Sequence, residues 1–169
     1  IQTLRAETSY YSSGQGGSSF TNPDGTGMSE GTYFNFYTPE WNTGLAYHSV
    51  SSDGTKVERI WKQNLPYYSG NPYPYQYLVP GNANAYVKTE FTTITNVSGQ
   101  NYLTAIKDFS YDKNGNVTRV TEYDWVAYGS VPRQNGQPSG IPAVAVVKRV
   151  TVNEYYNQAP DAESTASSS

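Results

Sequence analysis

The chain has 169 residues, with 14 Asp and Glu against 11 Lys and Arg, a net charge of −3, one His and no Cys. That length allows one domain with a core of its own, while the scattered cations exclude a nucleic-acid face, which needs clustered Lys and Arg. Without Cys there is no disulfide framework and no thiol chemistry, and no apolar run approaches the roughly 18 residues that span a bilayer.

Residues 1–31 are dominated by Ser, Gly, Thr and Asn, with Tyr10, Tyr11 and Phe20 as isolated anchors. They read as loops with at most short strands. Residues 32–38 alternate well enough for a strand, ended by Pro39. Residues 45–50, a Ser51-Ser52-Asp53-Gly54 turn and residues 55–61 make a hairpin. The Pro- and Tyr-rich stretch 64–84 reads as a loop, because closely spaced prolines remove backbone donors. Residues 85–95 and 102–111 form a second hairpin across a turn at 96–101, and residues 116–128 return as a third strand. Pro and Gly recur through 131–142, which reads as a loop. Residues 143–156 are the last strand, with Lys148, Val150 and Val152 on one parity and Arg149, Thr151 and Asn153 on the other.

No window shows apolar residues at a period of 3.6 with helix caps. The predicted fold class is all-β: antiparallel meander and hairpin sheets joined by long Pro/Gly/Tyr-rich loops. The 17 Tyr and the 15% aromatic content argue against disorder. The chain divides into a loop-rich β region with one hairpin (1–84), a regular β-meander (85–156) and a Ser-rich linker or cut edge (157–169). Its start at Ile1 rather than Met reads as a processed or excised piece, and no signal-peptide pattern is legible. Along 116–126, Val117, Arg119, Thr121, Tyr123 and Trp125 share one parity, and Thr118, Val120, Glu122 and Asp124 the other. Neither set is cleanly apolar, which suits a sheet facing a polar lumen or packed Tyr better than a greasy sandwich.

The clearest local signal is the turn after Tyr111. Asp112, Asn114 and Asn116 have side chains that bond back to the backbone, and Gly115 takes positive φ at no steric cost. With strand-forming residues on both sides, this is a hairpin tip. The string Tyr111-Asp112-Lys113-Asn114-Gly115-Asn116 resembles the Tyr-Asp repeat of RHS-repeat proteins. The phrases Tyr86-Val87-Lys88-Thr89-Glu90-Phe91, Glu122-Tyr123-Asp124-Trp125-Val126, Ser130-Val131-Pro132-Arg133 and the run from Lys148 to Tyr156 also look like segments of such bacterial surface proteins. The resemblance covers roughly residues 85–156. It implies a β-rich shell, stalk or extended assembly outside the cell. One full repeat is present where the family carries many in tandem. Neither the family's self-cleaving core nor a toxin tail is legible, so neither activity is implied.

Other motifs carry less. Gly27-Met28-Ser29-Glu30-Gly31 matches the G-x-S-x-G nucleophile elbow, which requires a strand before it, a helix after it, and an acid and a His downstream. His48 is the single His and comes too soon; it reads as a surface or packed strand residue, and it rules out a His-rich metal site. Asp112-Lys113-Asn114-Gly115-Asn116 starts like a calcium loop, but Gly115 is fourth instead of sixth and Tyr123 stands where the twelfth-position Glu belongs. Asn96-Val97-Ser98 and Asn116-Val117-Thr118 fit the glycosylation pattern and read as turn residues. No two acids are placed together in the manner of a glycoside hydrolase.

The sequence therefore points to a non-catalytic, extracellular or cell-surface structural β protein with no cofactor and no metal. Its partners are copies of itself, as homo-oligomer or filament, or flanking repeats of a larger parent chain. The edge residues expected to pair are Val146, Val147, Val150 and Val152 of the strand 143–156, whose Val-Ala-Val-Val start is uncharged and strand-favouring and whose only charges are Lys148, Arg149 and Glu154. The alternative is a carbohydrate-binding module, with Tyr73 and Tyr75 of the Tyr-Pro loop stacking on the sugar rings of a polysaccharide.

Overall fold

The computed structural model describes residues 5–10, 14–22, 24–34, 42, 44–63, 85–96 and 98–155. Among them the chain forms β1 (Arg5–Tyr10), β2 (Gly14–Thr21), β3 (Gly27–Phe34), β4 (Ala46–Ser51), β5 (Lys56–Gln63), β6 (Ala85–Thr95), β7 (Asn101–Tyr111) and β8 (Val117–Ala127). A 3-10 turn at Tyr128–Ser130 follows, then β9 (Arg133–Gln134), β10 (Gln137–Pro138) and β11 (Val147–Val152). The architecture is all-β. One antiparallel sheet runs in the order β1-β2-β3-β4-β5-β6-β7-β8-β11, and β9 with β10 forms a separate small hairpin. β5 pairs with β6, so the sheet is continuous across residues 64–84.

One kind of turn recurs along this meander. At 22–26, 51–55, 96–100 and 112–116 the first residue's carbonyl accepts from the N–H of a Gly three residues on, and its own N–H donates to the carbonyl of the fifth. The four glycines, Gly25, Gly54, Gly99 and Gly115, have φ of 85°, 81°, 73° and 85°. This is the three-residue hairpin loop in which a tight turn is followed by a left-handed residue. Side-chain carbonyls and carboxylates then satisfy the remaining loop donors, as when Asp53 accepts from the Thr55 N–H at 2.8 Å.

The core lies on one face of the sheet. Phe91 on β6 stands opposite Ile106 on β7, and both are buried with Val126 of β8 and Val131. Beside them the Thr93 and Thr104 hydroxyls share a hydrogen bond of 2.9 Å in full burial. The cover is supplied by residues 128–146, which leave β8, cross the core face and return to β11 at the sheet edge. Val131, Ile141 and Ala145 of this strap pack on the core. Farther across, Arg133 reaches Glu58 of β5, and Gln137 accepts a hydrogen bond from the Tyr33 hydroxyl of β3 at 2.9 Å.

Several expectations need correction. Where loops with at most short strands were expected over 1–31, the described residues hold the paired strands β1, β2 and the start of β3, because Gly- and Ser-rich strands carry no apolar alternation that announces them. The strand expected at 32–38 is the end of β3, which finishes at Phe34; residues 35–40 lie outside the described residues. The stretch 131–142 contains the β9–β10 hairpin, turned by Asn135 and Gly136 with φ of 51° and 78°, the Asn-Gly turn that favours two-residue loops. The last strand is β11 alone, since residues 143–146 belong to the strap's return.

The parity assignments also change, because bulges shift them. In β8, Asp124 and Trp125 together face the single residue Ala105, so Tyr123 and Val126 both turn to the core while Trp125 is 45% exposed. In β11, Val147 faces Tyr123 and Arg149 faces Glu122, leaving Lys148 as the extra residue. Val147, rather than Lys148, therefore shares a face with Val150 and Val152.

Candidate functional site

The Tyr-Asp turn closes the β7–β8 hairpin. Asp112 Oδ1 accepts from the N–H groups of Asn114 and Asn116 at 2.8 and 2.9 Å, and Oδ2 accepts from Asn116 Nδ2 at 2.9 Å. Those bonds, with the Asn116 side chain contributing most, hold the Asp112 carboxyl below its ordinary range. Its side-chain oxygens are thus committed to Asn114 and Asn116 of the turn, while its carbonyl accepts from the Gly115 N–H at 3.1 Å; the Tyr111 side chain takes no part in these bonds. Asn96 does the same work in its own turn, accepting from the N–H groups of Ser98 and Gln100.

Beside this turn an open cleft of about 580 Å³ lies between the end of β5, the start of β6 and the end of β7. Trp61, Tyr86, Phe109 and Tyr111 line it. The Tyr86 and Tyr111 rings are tilted against each other with centroids 4.9 Å apart. Two of the ring heteroatoms are engaged: Tyr111 donates to the Val87 carbonyl at 2.9 Å, and Trp61 to the Ala46 carbonyl at 2.7 Å. Burial, followed by Tyr86, Asp108 and Glu90 nearby, raises the Tyr111 phenol above its ordinary value. Lys88 is spent on Asp108 at 2.7 Å and on the Phe109 carbonyl. Chemically this is an aromatic surface with a polar turn at its rim, suited to stacking rather than to proton transfer.

On the core face the main electrostatic feature is Glu58. Its carboxylate is almost fully buried and receives both terminal nitrogens of Arg133 and the Lys56 ammonium at 2.8 Å. Arg133 also donates to the Gly136 carbonyl at 2.9 Å and lies 4.3 Å from the centroid of the Tyr128 ring. Burial pushes the Glu58 carboxyl up, but the bonds from Arg133 and Lys56 outweigh it and leave the group below its ordinary value. Sequence reasoning passed over this pair. The one local hint is a carboxylate on the same parity as Ile60 in the strand run Val57-Glu58-Arg59-Ile60.

The G-x-S-x-G string lies wholly within β3, with no elbow. Its glycines have packing roles. A Cβ on Gly27 would run into the Phe20 backbone carbonyl, and one on Gly31 would meet the rings of His48 and Tyr47. His48 is half-buried against Tyr47, at 4.6 Å between centroids; burial and then Lys56 lower its imidazole below the usual value, with Glu58 and Glu30 opposing. Among the described residues no group of three or more His, Asp or Glu gathers as a metal site.

At the sheet's edge, Val147, Val150 and Val152 are 50%, 41% and 64% exposed, and Val146 precedes the strand with its carbonyl accepting from the Asp124 N–H at 2.9 Å. Tyr73 and Tyr75 lie outside the described residues. The Tyr-Asp turn and the edge approach each other through Tyr155, whose hydroxyl donates to the Val117 carbonyl at 3.0 Å. The chain matches no protein-family model, and no curated protein or solved structure is significantly similar to it.

Proposed function

We propose that this chain is a non-catalytic structural module of the Tyr-Asp-repeat type, working at the cell surface or outside the cell by extending a β-sheet. Its neighbours are flanking repeats of a longer chain or further copies of itself. The observation that carries this reading is the recurrence of one hairpin turn, with the same two backbone bonds and the same left-handed Gly, at four places along a single meander. A sheet built by repeating one hairpin has free ends where the next strand can add. Light scattering over a concentration series, joined to amide exchange, tests it. Association with slowed exchange at β1 or β11 is the expected result. A protein that stays monomeric at its highest soluble concentration overturns it.

The cleft favours a second reading, a polysaccharide-binding module, since Trp61, Tyr86 and Tyr111 offer ring faces of the kind sugars stack on. Tyr86→Ala would then lose retention on an immobilised polysaccharide panel while keeping the fold. Failure of the wild-type protein to bind any member of the panel removes this reading.

A further inference from the structure

The edge strand β11 has one side paired with β8 and, among the described residues, nothing on the other. Its register makes the free side unusual. After the bulge at Lys148 the pairing runs without interruption from Arg149 to Val152. The two devices that commonly blunt an edge, a bulge and a Lys, therefore sit together at its start and leave the rest of the strand regular. Val147, Val150 and Val152 stand opposite Tyr123, Thr121 and Arg119, alternate residues of β8, so all three share one face of the sheet. The strap packs on that face and leaves these valines exposed.

The charges specify a partner. Arg149 is held by Glu122, and Lys148 lies 3.6 Å from Asp124 with both side chains largely exposed. Glu154, exposed just past the strand, has no ion-pair partner among the described residues. In an antiparallel pair of β11 strands centred on Thr151, Val150 of each copy faces Val152 of the other, Arg149 faces Asn153, and Lys148 comes opposite Glu154. A pair centred on Val150 would instead set Lys148 against Val152 and leave Glu154 without a cation.

We propose that β11 pairs antiparallel with β11 of a second copy, Thr151 opposite Thr151. The contact is isologous and closes as a dimer. Its two-fold axis is perpendicular to the sheet, so the valines of both copies join in one patch on the strap side. This rests on the sheet-extension reading above and names the partner at one edge.

The sequence has no Cys, so Thr151→Cys supplies the only thiol. On mild oxidation the expected product is a covalent dimer in high yield, whereas Ser98→Cys, in the β6–β7 turn, gives little. Lys148→Glu should weaken association on the order of tenfold, because two exposed ion pairs per dimer are lost, and adding Glu154→Lys should restore it. Association that persists without the Thr151→Cys cross-link, or without charge-swap rescue, overturns this pairing and leaves the sheet-extension reading standing. A monomer at every concentration overturns both.

Discussion

Arg133 and Glu58 meet as a fork, Nη1 to Oε1 at 2.9 Å and Nη2 to Oε2 at 2.7 Å, across 75 residues of sequence. The pair ties the strap to β5 at the far side of the core from the strap's origin in β8. Two parallel charge-assisted bonds fix orientation as well as distance. Among the described residues the buried apolar cluster is Phe91, Ile106, Val126 and Val131, and this polar tie docks the strap beyond its edge. Among the described residues Arg133 Nε is buried without a hydrogen-bond partner, a desolvation cost that offsets part of what the fork contributes.

Removing one member of the pair should therefore be expensive. Arg133→Met keeps most of the stem but leaves the Glu58 carboxylate buried beside Lys56 alone. The expected loss is about 2–4 kcal/mol, toward the lower side for a broken buried pair because Lys56 remains. Urea unfolding measures it. The double variant Arg133→Met with Glu58→Gln should lose clearly less than the sum of the single changes; simple additivity would show that the fork is not a coupled unit.

Acid should release the same tie. The folded-state carboxyl of Glu58 lies below its ordinary 4.5, so the unfolded chain takes up this proton at a higher pH than the folded one. The resulting stabilisation is complete above about pH 4.5 and is lost as pH falls through the folded value. Glu58→Gln should flatten the stability–pH curve in that acid window relative to wild type. Asp112 and Glu122 are also held below their ordinary values and remain in the variant, so the difference between the two curves isolates Glu58. Parallel curves would refute the assignment.

The Thr93–Thr104 pair separates hydrogen bonding from volume. Thr93→Val leaves the Thr104 hydroxyl buried without its partner, an expected loss of about 1–3 kcal/mol. Replacing both by Val keeps the shape and removes both polar groups, so the double variant should recover most of that loss. Thermal or denaturant unfolding of the three variants decides it, and a double variant worse than either single one would count against the account.

Two glycines should fail for different reasons. Gly115 has open space where a Cβ would stand but a φ of 85°, so Gly115→Val should cost about 1–2 kcal/mol through backbone strain. Gly115→Asn should cost less, since Asn tolerates the left-handed region. In Gly27→Ala the new methyl group would meet the fixed carbonyl of Phe20, so the loss should exceed that of Gly115→Asn and come with a shifted β2–β3 register. Amide exchange over β2 and β3 reports that shift.

The hairpins from Ala85 to Ala127 were legible because both of their signals are local. β-branched and aromatic runs mark the strands, and Asn96 and Asp112 with Gly99 and Gly115 mark the turns. The strands on either side of the same turn at 22–26 were missed, since Gly16, Gly17, Ser18 and Ser19 hold their place in β2 by backbone pairing with β3 and not by side-chain pattern. The aromatic cleft was only half visible. Trp61 closes the strand read at 55–61, and Tyr86 and Tyr111 lie in those read at 85–95 and 102–111, but their approach depends on the pairing of β5, β6 and β7.

By itself the sequence determined the all-β class, the absence of helix signals and the position of the Gly-closed turns at Gly54, Gly99 and Gly115, because backbone preference at a turn is settled within five residues. Tertiary structure alone decided where the bulges fall, and hence that Val126 turns inward while Trp125 turns out, and that Val147 rather than Lys148 joins the valine stripe. A bulge is set by the register of two strands against each other, and no single strand encodes that. The strap across the core and the Glu58–Arg133 fork belong to the same category. They exist only once nine strands have brought distant residues onto one face, where burial makes an ion pair matter.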